Sequence, residues 1–212
     1  MIKIDLVSDT VCPWCYIGKK RLDKAIEDYK GQEFEINWHA FQLNPNMPIE
    51  GINRELYLST KFGGKERADS IYEQIKQAGS SSNISFNFNE MSIMPNSFYS
   101  HMLIELSKKQ NLQNEIAESL FDAFFIKGKN IGNLSELTNI AISNNIEDFN
   151  EDLFKNRKDL RNIIQTSDEN SRSKGVSGVP FFIINNNYAI SGAQESEVFK
   201  KIFETCLLEN AI

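Results

Sequence analysis

Cysteine, histidine, proline and long apolar runs are all scarce in this chain: 212 residues hold three Cys, two His and five Pro, and no apolar stretch nears the ~20 residues of a membrane-spanning helix. So little cysteine excludes a disulfide-stapled scaffold, which a chain this long does not need to bury a core. A zinc site lacks donors, because only Cys206, His39, His101 and scattered carboxylates could complete one begun by two cysteines. Positive charge is also short: 23 Lys and Arg stand against 29 Asp and Glu, a net charge of −6. Phosphate-backbone binding asks for the opposite balance, so nucleic acid is not an expected partner. There is no internal repeat and no low-complexity tract. Lys3, Asp5 and Asp9 interrupt the residues where a secretory signal would run apolar, which places the expected protein in the cytoplasm with no membrane partner. No feature sets an oligomeric state.

What is present concentrates at Cys12-Pro13-Trp14-Cys15. Ile2 to Val7 reads as a strand, Ser8 to Val11 as a short loop, and Pro13 to Tyr29 as an amphipathic helix, so the pair sits at a strand-to-helix junction. Positions i and i+3 of a helix share a face, within reach of disulfide geometry after small adjustment. Pro13 suits the first helical turn, where its missing N–H goes unmissed. Cys12 falls at the cap, where the positive helix end favours a thiolate, and is expected to be the attacking nucleophile. Cys15, one turn inward, is the expected resolving thiol. Trp14 offers an apolar cap for a substrate. Asp9 is expected to be a loop or capping carboxylate, with like-charge opposition to the thiolate as the other reading. Lys19, Lys20 and Arg21 read as a solvated helix face, His39 as exposed, and Cys206, on the apolar stripe of the last helix, as a core thiol rather than a redox partner.

Downstream, Phe34, Ile36, Trp38 and Ala40 alternate as a half-buried strand, and Gly31 closes the helix before it. After Leu43 the rhythm turns helical. Ala68 to Ile75, Phe98 to Leu106 (capped by Asn96 or Ser97), Ile116 to Phe125, a helix after Ser135, and Leu153 to Ile164 all carry helical spacing; Ile84, Phe86 and Phe88 suggest a short extended piece. Then Phe181–Ile184, the turn Asn185-Asn186-Asn187 and Tyr188–Ser191 read as a hairpin, followed by a last helix. Closing a sheet requires the two ends of the chain to meet, with the helical block as an insertion.

Together, Cys12-Pro13-Trp14-Cys15-Tyr16-Ile17-Gly18, Pro95-Asn96-Ser97 with His101, Gly178-Val179-Pro180-Phe181-Phe182 and Gly192-Ala193-Gln194 resemble the DsbA family of thioredoxin-fold oxidoreductases, in its FrnE-like branch. That branch adjoins the 2-hydroxychromene-2-carboxylate isomerases and kappa-class glutathione transferases. The resemblance implies an α/β thioredoxin fold with a large α-helical insertion domain: residues 1–43 and 175–212 form the thioredoxin part and 44–174 the insertion. It further implies that Pro180 is cis and packs on the cysteine pair, and that the Val179 backbone pairs with an extended substrate. The expected substrate-binding set is therefore Pro13, Trp14, Val179, Pro180 and His101, the last equally readable as a packed helix histidine. The activity implied is thiol–disulfide exchange with protein or small-molecule thiols and disulfides, through a redox-active Cys12–Cys15 disulfide, with no bound cofactor or metal and with glutathione as a candidate co-substrate. Two rivals stay open: a glutathione-dependent isomerase or transferase, and a non-catalytic redox-sensing or chaperone-like binding module.

Overall fold

The computed structural model describes residues 1–147 and 149–209. Its main sheet has the order β2-β1-β5-β6, from β1 (Ile2–Ser8), β2 (Phe34–Ala40), β5 (Phe181–Ile184) and β6 (Tyr188–Ser191). β1 runs parallel to β2, with Leu6 opposite Trp38, and antiparallel to β5, with Leu6 opposite Phe182. The first strand is thus flanked by an early and a late segment, and both ends of the chain share one sheet. Asn185 and Asn186 take positive φ in the hairpin turn, a conformation asparagine tolerates better than most residues.

The period-2 alternation of β1 decides the layers. Ile2, Ile4 and Leu6 are wholly buried beneath α1 (Pro13–Glu27) and α9 (Ser196–Glu209), where Ile17, Leu22, Phe199 and Phe203 join them and Cys206 is a core residue. Phe182 meets Phe199 edge-on at 4.8 Å. Fully burying side chains of this size contributes roughly 1.5–3 kcal/mol each. The other sheet face carries a smaller cluster of Val7, Phe41 and Val176 and is covered by α8 (Lys158–Ser173), which is tied to β2 through Ser167 Oγ donating to the Ala40 carbonyl. A cleft of about 580 Å³ remains there, floored by Val7, Phe181 and Ile183 and walled by Ile104 and Ile163.

Residues between β2 and α8 supply α2 (Arg54–Phe62), α3 (Lys65–Ser80), α4 (Phe98–Ser107), α5 (Gln113–Phe121), α6 (Leu134–Ser143) and the short α7 (Glu151–Phe154). A π-helical turn, Asp122–Ile126, continues α5 and turns Phe124 and Phe125 inward. Tyr16 stacks on Phe121 at 4.9 Å and meets Phe86 at 6.1 Å, so the dithiol helix and the helical block share one aromatic core.

Several local expectations differ from the structure. α1 ends at Glu27 rather than Tyr29. Residues 84–87 form no strand, Asn87 instead donating its N–H to the Phe125 carbonyl at 2.9 Å; a two-residue ladder pairs β3 (Ile52–Asn53) with β4 (Ile93–Met94). The helix expected across 153–164 is two, broken at Lys155–Arg157. α6 starts at Leu134, so Ser135 lies inside it rather than before it, and Asn133 is the cap, accepting from the Ser135 N–H. The expected solvated face of α1 is corrected most sharply: Lys19 and Arg21 are only 4% and 9% exposed. Lys19 lies 2.6 Å from Asp23 and 2.7 Å from Glu118. Arg21 donates to the Ala193 carbonyl at 2.6 Å and pairs with Glu195 at 2.7 Å. These charges are buried because each has a fixed partner, Lys19 on α5 through Glu118 and Arg21 on the loop before α9.

Candidate active site

Cys12 is the N-cap of α1, with extended backbone (φ −96°, ψ 113°), and Pro13 follows in the first turn. Its carbonyl accepts from the Cys15 N–H at 3.0 Å, which sets the two thiols on the same first turn. Both thiols are buried, Cys12 at 4% exposure and Cys15 at 0%, while Trp14 between them is 38% exposed. Burial pushes the Cys15 thiol well above its ordinary value, and the adjacent Cys12 adds to the rise. The Asp9 N–H donates to Cys15 Sγ at 3.5 Å. The Cys12 thiol donates to the Val179 carbonyl at 3.6 Å across 167 residues of sequence.

The Val179–Pro180 peptide bond is cis. Pro180 is buried against α1 at Gly18, where an added Cβ would come within 2.9 Å of Pro180 Cγ and 3.1 Å of Phe182 Cζ. Only glycine lets the proline loop sit this close. From the other side the Gly192 N–H donates to the Pro180 carbonyl at 2.8 Å, and Arg21 holds the adjacent Ala193 carbonyl. The Val179 carbonyl is thus brought to Cys12, with Cys15 behind it and Pro180 packed on the same helix at Gly18, while Pro13 and Trp14 follow Cys12 in the first turn of α1.

Asp9 is wholly buried and accepts from the backbone N–H of Val11 at 3.3 Å and of Leu43 at 2.7 Å, joining the loop before Cys12 to the end of β2. Of the two roles expected of it, loop or capping carboxylate, this is the loop role, since no side chain caps α1. His101, on α4, is buried, with Nε2 3.4 Å from Asp9 Oδ1 but outside hydrogen-bonding orientation; it reaches the dithiol only through Asp9. It also lines the 580 Å³ cleft, to which neither thiol contributes. His39 is partly exposed and bonds Asp5 at 2.8 Å. Among the described residues no group of three or more His, Cys, Asp or Glu is placed to hold a metal, and no helix is long and apolar enough to cross a membrane. Ser8, Gly18 and Arg21 escaped the sequence reading as site residues. The inward alternation of β1 could have marked Ser8, and the glycine one helical turn past Cys15 could have marked Gly18.

A dithiol at a helix cap facing a cis-proline loop, on a sheet of this order, is comparable with known proteins over its whole length. The DSBA-like thioredoxin domain matches residues 3–204. The chain belongs to that family. Among relatives, the uncharacterized protein YwbO of Bacillus subtilis (strain 168) is 26% identical over 209 residues, covering 94% of each chain. A probable DsbA oxidoreductase from Streptomyces coelicolor superposes with a TM-score of 0.88 at 21% identity, covering 99% of this chain and 91% of that one. The cytosolic disulfide reductase DsbM from Pseudomonas aeruginosa, solved with GSH, gives 0.69 at 14% identity over 97% and 98%. A 2-hydroxychromene-2-carboxylate isomerase gives 0.73 at 14% over 99% and 98%. The DSBA-like family thus fixes the architecture as a thioredoxin fold with inserted helices, and these distant structures share that fold.

Proposed function

We propose that the protein is a thiol–disulfide oxidoreductase in which Cys12 attacks and Cys15 resolves. The observation that carries this reading is the asymmetry of the pair: Cys12 caps α1 beside the Val179 carbonyl, whereas Cys15 is sealed beneath it with its thiol pushed up by burial. An attacking group must meet the substrate sulfur where the substrate docks; a resolving group needs only its neighbour. The Cys12 thiolate attacks one sulfur of a substrate disulfide, forming a mixed disulfide and expelling the other sulfur as a thiolate. Cys15 Sγ, losing its proton, then attacks Cys12 Sγ. The substrate sulfur leaves with the bonding electron pair and takes up a proton, and Cys12 and Cys15 end as a disulfide.

Val179 and Pro180 are the substrate platform in this reading, with Trp14 and Pro13 as its apolar rim and His101 set behind it on Asp9. Two thiols of glutathione can return the dithiol to its reduced form, each supplying one sulfur of oxidised glutathione. The Pseudomonas aeruginosa reductase solved with GSH supports glutathione as that co-substrate and the cytoplasm as the compartment.

Substitution of Cys15 by Ala tests the scheme. Mixed disulfides should then accumulate on Cys12 in cells, and mass spectrometry of the adducts identifies protein clients or glutathione. A Cys15→Ala protein that turns over disulfides at the normal rate and carries no adduct refutes it.

A further inference from the structure

Ser8 is a polar residue where the packing calls for an apolar one. Ile4 and Leu6 of β1 are wholly buried on the sheet face under α1, and the two-residue period sends the Ser8 side chain the same way, toward the first turn of α1. Its hydroxyl is buried with no hydrogen-bond partner. The next backbone N–H in the chain, that of Asp9, is directed at Cys15 Sγ from 3.5 Å. Native folds seldom keep a buried hydroxyl unsatisfied without a use for it. Cys15 is the one ionisable thiol beside it, and the Ser8 hydroxyl is among the groups that favour its thiolate against the effect of burial.

We propose that the Ser8 hydroxyl and the Asp9 N–H together form a thiolate hole for Cys15, slack against the neutral thiol and engaged when Sγ becomes charged. The inference rests on the assignment of Cys15 as resolving thiol. In the resolving step Cys15 Sγ gives up its proton, bonds to Cys12 Sγ, and the Cys12–substrate bond breaks with its electron pair going to the substrate sulfur, which is protonated. The two donors meet the transient charge on Cys15 where water has no access, and a hydrogen bond to a charged sulfur is stronger than one to a neutral thiol. In the reverse sense an external thiolate opens the Cys12–Cys15 disulfide at Cys12, and the same donors receive Cys15 as the leaving group. Ser8 is a catalytic residue on this account, because its hydroxyl donates to a reacting atom once that atom is charged.

The test uses dithiobis-nitrobenzoate, which releases one coloured thiolate when Cys12 attacks and a second when Cys15 resolves. Ser8→Ala should leave the first phase unchanged, slow the second about tenfold, and move its pH midpoint upward by about one unit, because the rate follows the thiolate fraction. Ser8→Thr and Ser8→Val, nearly equal in shape and different in the hydroxyl, repeat the comparison independently of packing: the Thr protein should resolve faster than the Val protein. A Ser8→Ala second phase equal to wild type across the pH range overturns the proposal, as does equal slowing of both phases or equal behaviour of the Thr and Val proteins. A second phase that survives in Cys15→Ala instead sinks the dithiol assignment itself, and the thiolate hole with it.

Discussion

The proposed resolving step requires Cys15, wholly buried, to ionise where water is excluded, and this condition sets the pH behaviour expected at the residue scale. Burial raises its thiol, so the resolving phase of wild-type protein should still be accelerating at pH values above ~8.5, where a free cysteine is half ionised. Stopped-flow release of a chromophoric thiolate at a series of pH values checks this; a plateau at neutral pH contradicts it. Asp9 works differently. Its carboxylate is spent on two backbone N–H groups, of Val11 and Leu43, and Asp9→Ala leaves both buried donors without an acceptor. That change should cost about 2 kcal/mol in urea unfolding while Asp9→Asn, which keeps one acceptor oxygen, costs less. Composition could not announce either role, since an aspartate in a short loop looks the same whether it faces solvent or holds the loop shut.

At the scale of elements, the contact of α1 with the proline loop depends on one missing methyl group. Gly18→Ala gains about 1 kcal/mol of helix propensity and loses about 1–3 kcal/mol to overpacking against Pro180. Net stability should change little, whereas turnover of a disulfide substrate should fall at least about tenfold, because the platform beside Cys12 is displaced. The seam between α1 and α5 is held by charge. Burial alone would raise the Glu118 carboxyl, but Lys19 and Lys20 overcome it and hold it below its usual value. Its contribution is therefore complete above the ordinary glutamate value near ~4.3 and disappears as pH falls through the lower folded one. Asp23, raised by burial against the pull of Lys19, has the opposite sign and loses its contribution as pH rises. Glu118→Gln should destabilise by about 1–2 kcal/mol near neutrality, modest because Asp23 still pairs Lys19. Melting curves of the two proteins should converge toward about pH 3. This seam was invisible in the sequence because Lys19-Lys20-Arg21 carries the charge pattern of a solvated face, and the burial of two of the three follows from partners over 60 residues away. The β5–β6 hairpin was legible for the converse reason: Phe181–Ile184, three asparagines and Tyr188–Ser191 contain both strands and their turn in one short window. The β3–β4 ladder was not, since two residues a side are too few to display a period.

For the molecule as a whole, β1 lies between β2 and β5, so the sheet cannot close without the last fifth of the chain. A chain cut after residue 174 exposes the edge of β1 that pairs with β5 and uncovers Ile4 and Leu6 where α9 is lost. It should show no cooperative thermal transition by circular dichroism, although its helices outnumber its strands. The family resemblance carried by the cysteine and proline motifs made this closure legible, and the strand patterns at the two ends of the chain agreed with it; the packing of the helices described between β2 and β5 was beyond a reading of local periods. The cis-proline loop and the cysteine pair are 167 residues apart, and a ribosome adding roughly 5–20 residues per second needs on the order of ten seconds to cover that distance. For much of that interval the newborn polypeptide carries its two thiols without the Val179–Pro180 loop beside them, so whatever shelter that loop provides arrives only with the final strands.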